Sequence, residues 1–278
     1  VEVDLRGDEP GVTFTADGRR EQRSSDWVAG ADGGAGVSAA AVPPQARRIF
    51  THDQQLAWVS ILAAVPPSAP HIVYAPHRRG FAGHMLRTPF HDAAPQNAAP
   101  QNAAPQNPMT RFYLQAPRDT TIEQWPESRV WDELHQRLAT PDPTWRLRTG
   151  PIVESSVLRM RSVVTEPMQH ARLLLLGDAA HIITPVGAKG MNLAIHDAEV
   201  AADALTTWAS GDESGVDTYS TRCLARVWRH QGFSHHLTRL LHPVADPFQE
   251  RLRAAALEHL LGSEHDLTAF ARAYVGVN

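Results

Sequence analysis

Residues 171–205 read ARLLLLGDAAHIITPVGAKGMNLAIHDAEVAADAL and predict a buried strand, a loop and a helix. The four leucines at 173–176 are typical of a strand that is buried on both faces. Gly177 removes a side chain where another group approaches the backbone closely, and Asp178 follows at the carboxyl end of the strand, the edge where open α/β sheets bind ligands. A helix is expected to begin near residues 188–190. Its predicted buried stripe consists of Met191, Ile195, Ala198, Ala202 and Leu205.

The loop before this helix leads into the helix N-terminus, whose backbone N–H groups favour negative charge. Asp178 beside it can accept hydrogen bonds from the hydroxyl groups of a sugar-like chain. Lys189 is the one lysine among 26 basic residues, which suggests that a compact ammonium group is needed there. The stretch therefore predicts a cofactor pocket. The alternative is an ordinary strand–loop–helix unit in which Lys189 is a chance survivor of an arginine-rich composition.

The run GDAAHIITPVGAKGMN, residues 177–192, resembles the second flavin-binding motif of the FAD-dependent aromatic hydroxylases of the 4-hydroxybenzoate 3-monooxygenase type. The resemblance implies that Asp178 contacts the flavin ribityl chain and that the loop and helix start lie against the pyrimidine edge of the flavin ring. A helix N-terminus stabilises negative charge at that edge. The implied cofactor-binding residues of this run are Gly177, Asp178, Pro185, Gly187, Lys189, Gly190, Met191 and Asn192.

Two further segments resemble cofactor-handling parts of the same family. ADGGAGVSAA, residues 31–40, resembles the family's DG motif and implies cofactor contacts for Asp32 and Gly33. Ala35 and Ala39 stand where the family has a histidine and an arginine, which places NAD(P)H and flavin handling in question. Arg161 falls where the family has an arginine linked to the nicotinamide cofactor; an exposed arginine at a strand end is the alternative.

The segments YAPHRRGFAGHMLR (74–87), TRFYLQAP (110–117) and AYVGV (273–277) resemble the family's substrate-contacting elements. The resemblance implies that Tyr74 contacts the substrate phenol and that Tyr274 extends a proton relay from it. Arg87 and Tyr113 are implied to hold the substrate carboxylate, which suits a planar guanidinium, and the Pro185 carbonyl is implied to lie near the substrate hydroxyl. Taken singly, tyrosines on strands are more often packing residues, and an arginine is more often a solvated charge.

Met85 stands where the benzoate hydroxylases often carry a serine that helps to grip the carboxylate, which leaves the exact substrate open. The sequence GAGVSA at 34–39 formally matches G-x-G-x-x-A, but Pro43 and Pro44 would end its helix within two turns. We therefore expect the chain to lack the N-terminal GxGxxG segment that binds the ADP half of FAD in this family.

The expected fold class is mixed α/β: an incomplete FAD-binding domain, a β-sheet substrate domain and a C-terminal helical region. The expected ranges are 1–50 for the partial FAD-binding domain, 51–160 for the substrate domain, 161–210 for the flavin-binding segment and 211–278 for the helical region. Turn residues predict an antiparallel hairpin sheet from VEVDL, VTFTA and DWVAGAD. We also expect strands within 49–74, a helix over 126–138, and a last helix opened by the capping pair Ser263 and Asp266. AAPQN, repeated three times at 93–107, is expected to be a disordered surface insertion.

The composition narrows the class of protein. A net charge of −4 gives no reason to expect nucleic-acid or anionic-membrane binding. A single cysteine, Cys223, excludes an internal disulfide and suits a reducing cytoplasm. The sequence shows neither an apolar run of transmembrane length nor HExxH or paired CxxC spacing, so neither a membrane span nor a metal site is expected.

The resemblance thus implies a cytoplasmic enzyme that hydroxylates 4-hydroxybenzoate to 3,4-dihydroxybenzoate with FAD, NAD(P)H and O2. The choice between NADH and NADPH, and whether the family's usual homodimer forms, stay open. A non-catalytic remnant that binds an aromatic acid is the first alternative. A split enzyme, with its other half encoded upstream, is the second.

Overall fold

The computed structural model describes residues 1–7, 9–90, 107–142 and 144–276 as a mixed α/β fold, which confirms the predicted class. The strands are β1 (Glu2–Asp4), β2 (Gly11–Ala16), β3 (Arg19–Ser24), β4 (Val28–Gly30), β5 (Arg48–Ala63), β6 (Val73–Ala75), β7 (Ala82–Leu86), β8 (Thr110–Pro117), β9 (Ile152–Glu166), β10 (Gln169–His170), β11 (Leu173–Leu175) and β12 (His181–Ile182). The helices are α1 (Ser38–Ala41), α2 (Glu127–Arg137), α3 (Gly190–Ala209), α4 (Ser214–Leu241), α5 (Pro247–Gly262) and α6 (Glu264–Val275).

The chain divides into two units. The first comprises Val1–Asp53 and Arg161–Leu237, and the second comprises Gln54–Met160 and Thr238–Asn278. The predicted division into four ranges stays a prediction. Of the predicted AAPQN insertion, all but the last residue lies outside the described residues. Among the described residues, no helix has the length and apolar character needed to cross a membrane.

The first unit contains the predicted hairpin, but one of its three strands was predicted wrongly. β1 and β3 both pair antiparallel with β2, and the third strand is the polar segment RREQRS rather than DWVAGAD. The reason is the turn: Asp17 and Gly18 have positive φ values of 51° and 75°, a two-residue geometry that sends the chain straight back beside β2. Val28–Gly30 instead pairs in parallel with β11.

The core of the first unit forms around β11, whose three leucines are fully buried, as predicted. The predicted buried stripe of α3 was wrong, because Met191 is 74% exposed and Ile195 is 51% exposed. Ala198 and Ala202 are exposed as well. The helix instead buries a face that includes a carboxylate, which a purely apolar pattern excludes. The buried residues of α3 are Leu193, Asp197, Val200, Ala201 and Ala204.

The second unit is built on antiparallel strands β5, β8, β7 and β6, which pair in that order. The predicted helix over 126–138 is confirmed as α2, with Pro126 at its N-cap. Its apolar stripe covers one face of the sheet. That buried layer contains Val59, Ile61, Ala82, Phe112, Leu114, Val130, Leu134 and Leu138.

Three helices, α4, α5 and α6, form the C-terminal part, where a helical region is predicted. α4 ends before Pro243, and Asp246 caps α5 by accepting a hydrogen bond from the backbone N–H of Gln249 at 2.7 Å. The predicted capping pair is confirmed, because the Ser263 hydroxyl accepts from the Asp266 backbone N–H at 3.2 Å.

Three buried histidines make the stability of the fold sensitive to acid. Burial lowers the pKa of His84, His230 and His242 to about 4, whereas an unfolded histidine titrates near 6.5. Their stabilising contribution is therefore present above pH 6.5 and is lost as the pH falls through the interval from 6.5 to 4; for the deeply buried His242 the loss is up to about 3 kcal/mol. Urea unfolding from pH 7.5 to 4.5 should show this loss, and His242→Gln should reduce its slope. A stability that is flat over this range would contradict the prediction.

Candidate cofactor and substrate sites

The turn after β11 exposes Asp178 at the carboxyl end of the strand. Gly177 has a φ of 56°, and a Cβ at this position would lie 3.0 Å from the Cβ of Ala194 on α3. The close approach predicted for Gly177 is therefore made by a helix of the same unit. The turn is short and packs against α3, and the Asp178 carboxylate that it carries is exposed.

A buried histidine–aspartate pair fixes this turn. Oδ2 of Asp197 accepts from the Gly177 backbone N–H at 3.0 Å and contacts Nε2 of His181 at 2.7 Å. Both side chains are almost completely buried. The sequence analysis missed them, although a histidine four residues after Gly177 and a carboxylate in the middle of an apolar helix are visible in the sequence. The pair links β11, β12 and α3 at one carboxylate oxygen.

The loop from Pro185 to Gly187 leads into α3 through Ala188, which has a left-handed φ of 52°. Pro185 is exposed. Among the described residues, no side chain caps the N-terminal amides of α3, and its first turn carries no acidic residue. Met191 and Asn192 in that turn are exposed. The helix start can therefore receive negative charge from a ligand.

Lys189, the chain's only lysine, is 3% exposed, and its Nζ lies 5.5 Å from the centre of the Phe233 ring. Burial, with a smaller contribution from Arg226, lowers the pKa of this ammonium group. The flexible stem thus carries a charge into the interior of the first unit, beside the start of α3.

The DG motif is engaged in local structure. Oδ2 of Asp32 accepts from the backbone N–H groups of Val37 and Ser38 at 2.6 and 2.9 Å. Burial raises the pKa of Asp32, but these hydrogen bonds outweigh it and the net shift is downward. Gly33 has a φ of 79°, which glycine accommodates. Arg161 is exposed on β9. The predicted cofactor contacts of Asp32, Gly33 and Arg161 stay predictions.

The strand register of the second unit places two of the predicted substrate residues, Tyr74 and Tyr113, on one face of its sheet. Tyr74 on β6 lies opposite Gly83 on β7, which lies opposite Tyr113 on β8. Gly83 is therefore the only residue between the two tyrosines in this row. Arg87 follows the last residue of β7, is exposed, and donates its backbone N–H to the Met109 carbonyl at 3.3 Å.

Tyr74 and Tyr274, 200 residues apart, are brought into direct contact. Their hydroxyl oxygens are 2.8 Å apart, and either can donate. Burial, and then the hydrogen bond to Tyr274, raises the pKa of Tyr74 above its ordinary value. The Tyr74 hydroxyl therefore stays protonated near neutral pH, and the two hydroxyl groups form a chain that can pass a hydrogen bond along.

Arg111 is a residue of this face that the sequence analysis missed. Its side chain is 11% exposed, and Nη1 donates to the Ser60 hydroxyl at 3.0 Å and to Glu154 at 3.2 Å. The sequence TRFY shows its position, because Arg111 precedes Tyr113 by two residues and so shares its face. An indole supports the same face: Trp58 packs on Tyr113 with ring centres 4.7 Å apart, and its Nε1 donates to Nε2 of His242 at 2.7 Å.

The sequence profile of the family described as FAD binding domain matches residues 1–234. The chain belongs to this family. This FAD binding domain protein is 38% identical over 271 residues to the p-hydroxybenzoate hydroxylase of Acinetobacter baylyi, covering 96% of the chain and 62% of that relative. It is 26% identical to the 6-methylpretetramide 4-monooxygenase of Streptomyces rimosus, over 77% of the chain and 35% of that relative. The predicted resemblance to the FAD-dependent aromatic hydroxylases is confirmed.

Solved structures share the fold of this FAD binding domain protein. The Diels-Alderase PyrE3 aligns with a TM-score of 0.73 at 20% identity, over the whole chain and 55% of that structure. The anhydrotetracycline hydroxylase OxyS from Streptomyces rimosus aligns with a TM-score of 0.68 at 20% identity, over 99% of the chain and 51% of that structure. The chain thus spans between about a third and two thirds of the length of these relatives.

Proposed function

We propose that the chain is the flavin-ring and substrate-binding part of an FAD-dependent monooxygenase that hydroxylates a phenolic acid. The reaction we propose converts 4-hydroxybenzoate to 3,4-dihydroxybenzoate and uses NAD(P)H and O2. The observation that carries the proposal is the Tyr74–Tyr274 hydroxyl pair at 2.8 Å, beside the sheet face that carries Tyr113, in a member of an FAD binding domain family.

The first unit fits the flavin by its chemistry. An exposed carboxylate at the carboxyl end of β11, Asp178, can accept hydrogen bonds from ribityl hydroxyl groups. The amide groups at the start of α3 favour the electron-rich edge of the ring. Gly187, Gly190, Met191 and Asn192 belong to this segment. FAD, when bound, supplies the reaction with O2; the residues of the chain orient the cofactor and control charge around it.

The second unit fits the substrate. The Arg87 guanidinium, just after the end of β7, can hold a carboxylate through two parallel hydrogen bonds, with the Tyr113 hydroxyl as a further donor. Tyr74 can then accept the hydrogen bond of the substrate phenol while donating its own to Tyr274. Drawing the proton away from the phenol raises electron density at the neighbouring ring carbon, which is the position that is hydroxylated.

The decisive experiment incubates the purified chain with FAD, either NADH or NADPH, and 4-hydroxybenzoate, and measures 3,4-dihydroxybenzoate by chromatography. A flavin absorption spectrum of the same sample shows whether FAD is bound. Product formation supports the proposal. Bound FAD without product overturns the catalytic part.

Binding without turnover is the second candidate function. The four predicted substrate residues Tyr74, Arg87, Tyr113 and Tyr274 all belong to the second unit, so binding of an aromatic acid does not require the cofactor residues. Calorimetric titration of the chain with 4-hydroxybenzoate in the absence of FAD tests this candidate. 4-Hydroxybenzamide is the matched control, because it keeps the phenol and lacks the negative charge.

Tyr74→Phe should lower the hydroxylation rate about 10²- to 10⁴-fold, because it removes the group that relays the phenol proton. The affinity for 4-hydroxybenzoate should change much less, since Arg87 and Tyr113 are untouched. Absorbance titration of the bound phenol is the accompanying measurement: its pKa should rise in the variant. An unchanged rate would exclude Tyr74 from the relay.

A further inference from the structure

A cavity of about 750 Å³ lies beside the edge strand β6 of the second unit. Its walls come from residues before and within β6 and from the segment that follows α2. Its volume is that of a small-molecule site, about 300–1,000 Å³. Arg87 and Tyr113 are not among its lining residues, whereas Tyr74 is. The cavity is therefore separate from the predicted carboxylate-binding residues but shares one tyrosine with the relay.

Positive charge dominates the lining. Arg146 and Arg148 both line the cavity, with Asp142 as the one acidic lining residue among those described. The Asp142 carboxylate closes a turn, since it accepts from the Thr144 backbone N–H at 2.8 Å and from its hydroxyl at 2.7 Å. In the part of the chain that the structure describes, no carboxylate forms an ion pair with Arg148. An anion is thus the ligand that this charge arrangement favours.

The remaining walls suit a flat ring. Trp145 and Tyr74 line the cavity, and the Arg148 guanidinium lies over the Phe90 ring, 5.5 Å from its centre. The Ser68 hydroxyl accepts from the Arg148 backbone N–H at 3.0 Å, which ties the segment that carries the arginine to the opposite wall. A guanidinium beside aromatic rings suits a flat aromatic anion, whose ring can pack against these walls while its carboxylate accepts hydrogen bonds from the arginine.

We propose that this cavity is a second binding site, which takes a small aromatic carboxylate through Arg148 and the rings of Trp145 and Tyr74. The ligand class is that of the proposed substrate, but Tyr74 is the only residue shared between the groups proposed to hold the two ligands. Because Tyr74 lines the cavity and also contacts Tyr274, an occupant touches the ring whose hydroxyl belongs to the proposed relay.

Calorimetric titration of the full chain with benzoate tests the site. Wild type should show two binding events. Arg148→Gln should weaken one of them at least about tenfold, as expected for loss of a charge-assisted hydrogen bond, and should leave the other intact. Arg87→Gln should affect only the other event. Arg78→Gln is the matched control, because it removes the same charge from an exposed position that does not line the cavity.

Each outcome of the titrations supports or overturns the second binding site. Loss of the Arg148-dependent event, with an unchanged melting temperature, supports the second site. Titrations of Arg148→Gln that equal those of wild type, benzamide binding as tight as benzoate, or no benzoate binding by wild type at millimolar concentrations would each overturn it. If only the Arg87-dependent event is missing, the proposed function fails while the second site stands.

Discussion

Asp197→Ala is expected to lower the free energy of unfolding by about 3–5 kcal/mol, because it leaves two buried polar groups without a hydrogen-bond partner, at about 1–3 kcal/mol for each. Oδ2 of Asp197 accepts from Gly177 and contacts His181 inside the core. In the alanine variant, the backbone N–H of Gly177 and the ring of His181 lose this partner without access to water. Urea unfolding of wild type and variant at pH 7.5 measures the difference.

Asp197→Asn and Asp203→Ala separate the possible reasons for this loss. Asparagine keeps an acceptor oxygen, so Asp197→Asn should cost much less than the alanine variant. Asp203 is exposed on the same helix, and its replacement should cost less than about 0.5 kcal/mol. If Asp197→Ala, Asp197→Asn and Asp203→Ala were all as stable as wild type, the buried pair would not fix the turn. Flavin retention adds a functional measurement, because the turn that carries Asp178 is the one that loses its anchor.

The sequence was sufficient where the determining interactions are local. Four leucines predicted β11, Ser263 and Asp266 predicted the start of α6, and Pro126 predicted the start of α2. Each of these patterns acts within one turn or one strand. Strand propensity and helix capping depend only on residues within such a short segment, so these elements can be predicted without knowledge of the tertiary structure.

Two errors had a common cause: residue polarity was taken to decide burial and pairing. RREQRS forms a strand although it is polar, because the backbone geometry of Asp17 and Gly18 sets the register for whatever follows. α3 buries Asp197, because a hydrogen-bonded carboxylate is tolerated in a core. In both cases an interaction with a residue on another element, or a turn dihedral, outweighed the composition.

The predicted substrate residues illustrate a different limit of prediction from sequence. Alternation along one strand places Arg111 and Tyr113 on one face, but only the register between strands places Tyr74, Gly83 and Tyr113 in a row. The contact between Tyr74 and Tyr274 joins residues that are 200 positions apart, and no local pattern contains it. Family resemblance supplied this pairing at the sequence level, and the hydroxyl distance is its structural counterpart.

Glu133→Ala is the second substitution for which a large effect is expected, again about 3–5 kcal/mol of unfolding free energy. Glu133 on α2 accepts from Nε of Arg137 at 2.8 Å and pairs with Arg79. Arg137 is itself buried, and burial lowers the pKa of its guanidinium. Removing the carboxylate leaves that cation in the interior without its ionic partner.

The hydrogen bonds of Arg137 extend to the strands that carry the predicted substrate residues. Nη1 of Arg137 donates to the backbone carbonyls of Gln115, at 2.7 Å, and Phe81, at 3.3 Å. The Phe81 ring packs against Tyr74 with ring centres 5.7 Å apart. Displacement of the guanidinium should therefore loosen the start of β7 and the end of β8, and the position of Tyr74 with them.

Three variants on α2 test this coupling by urea unfolding and by the affinity for 4-hydroxybenzoate. Glu133→Gln retains an acceptor and should lose less stability than Glu133→Ala. Asp132→Ala, at an exposed position of the same helix, should change neither quantity. If Glu133→Ala lost stability but kept full affinity, Arg137 would support the sheet without positioning Tyr74. Loss of both together is expected, because the carbonyls that bind Arg137 belong to the strand segments that place Tyr74 and Tyr113.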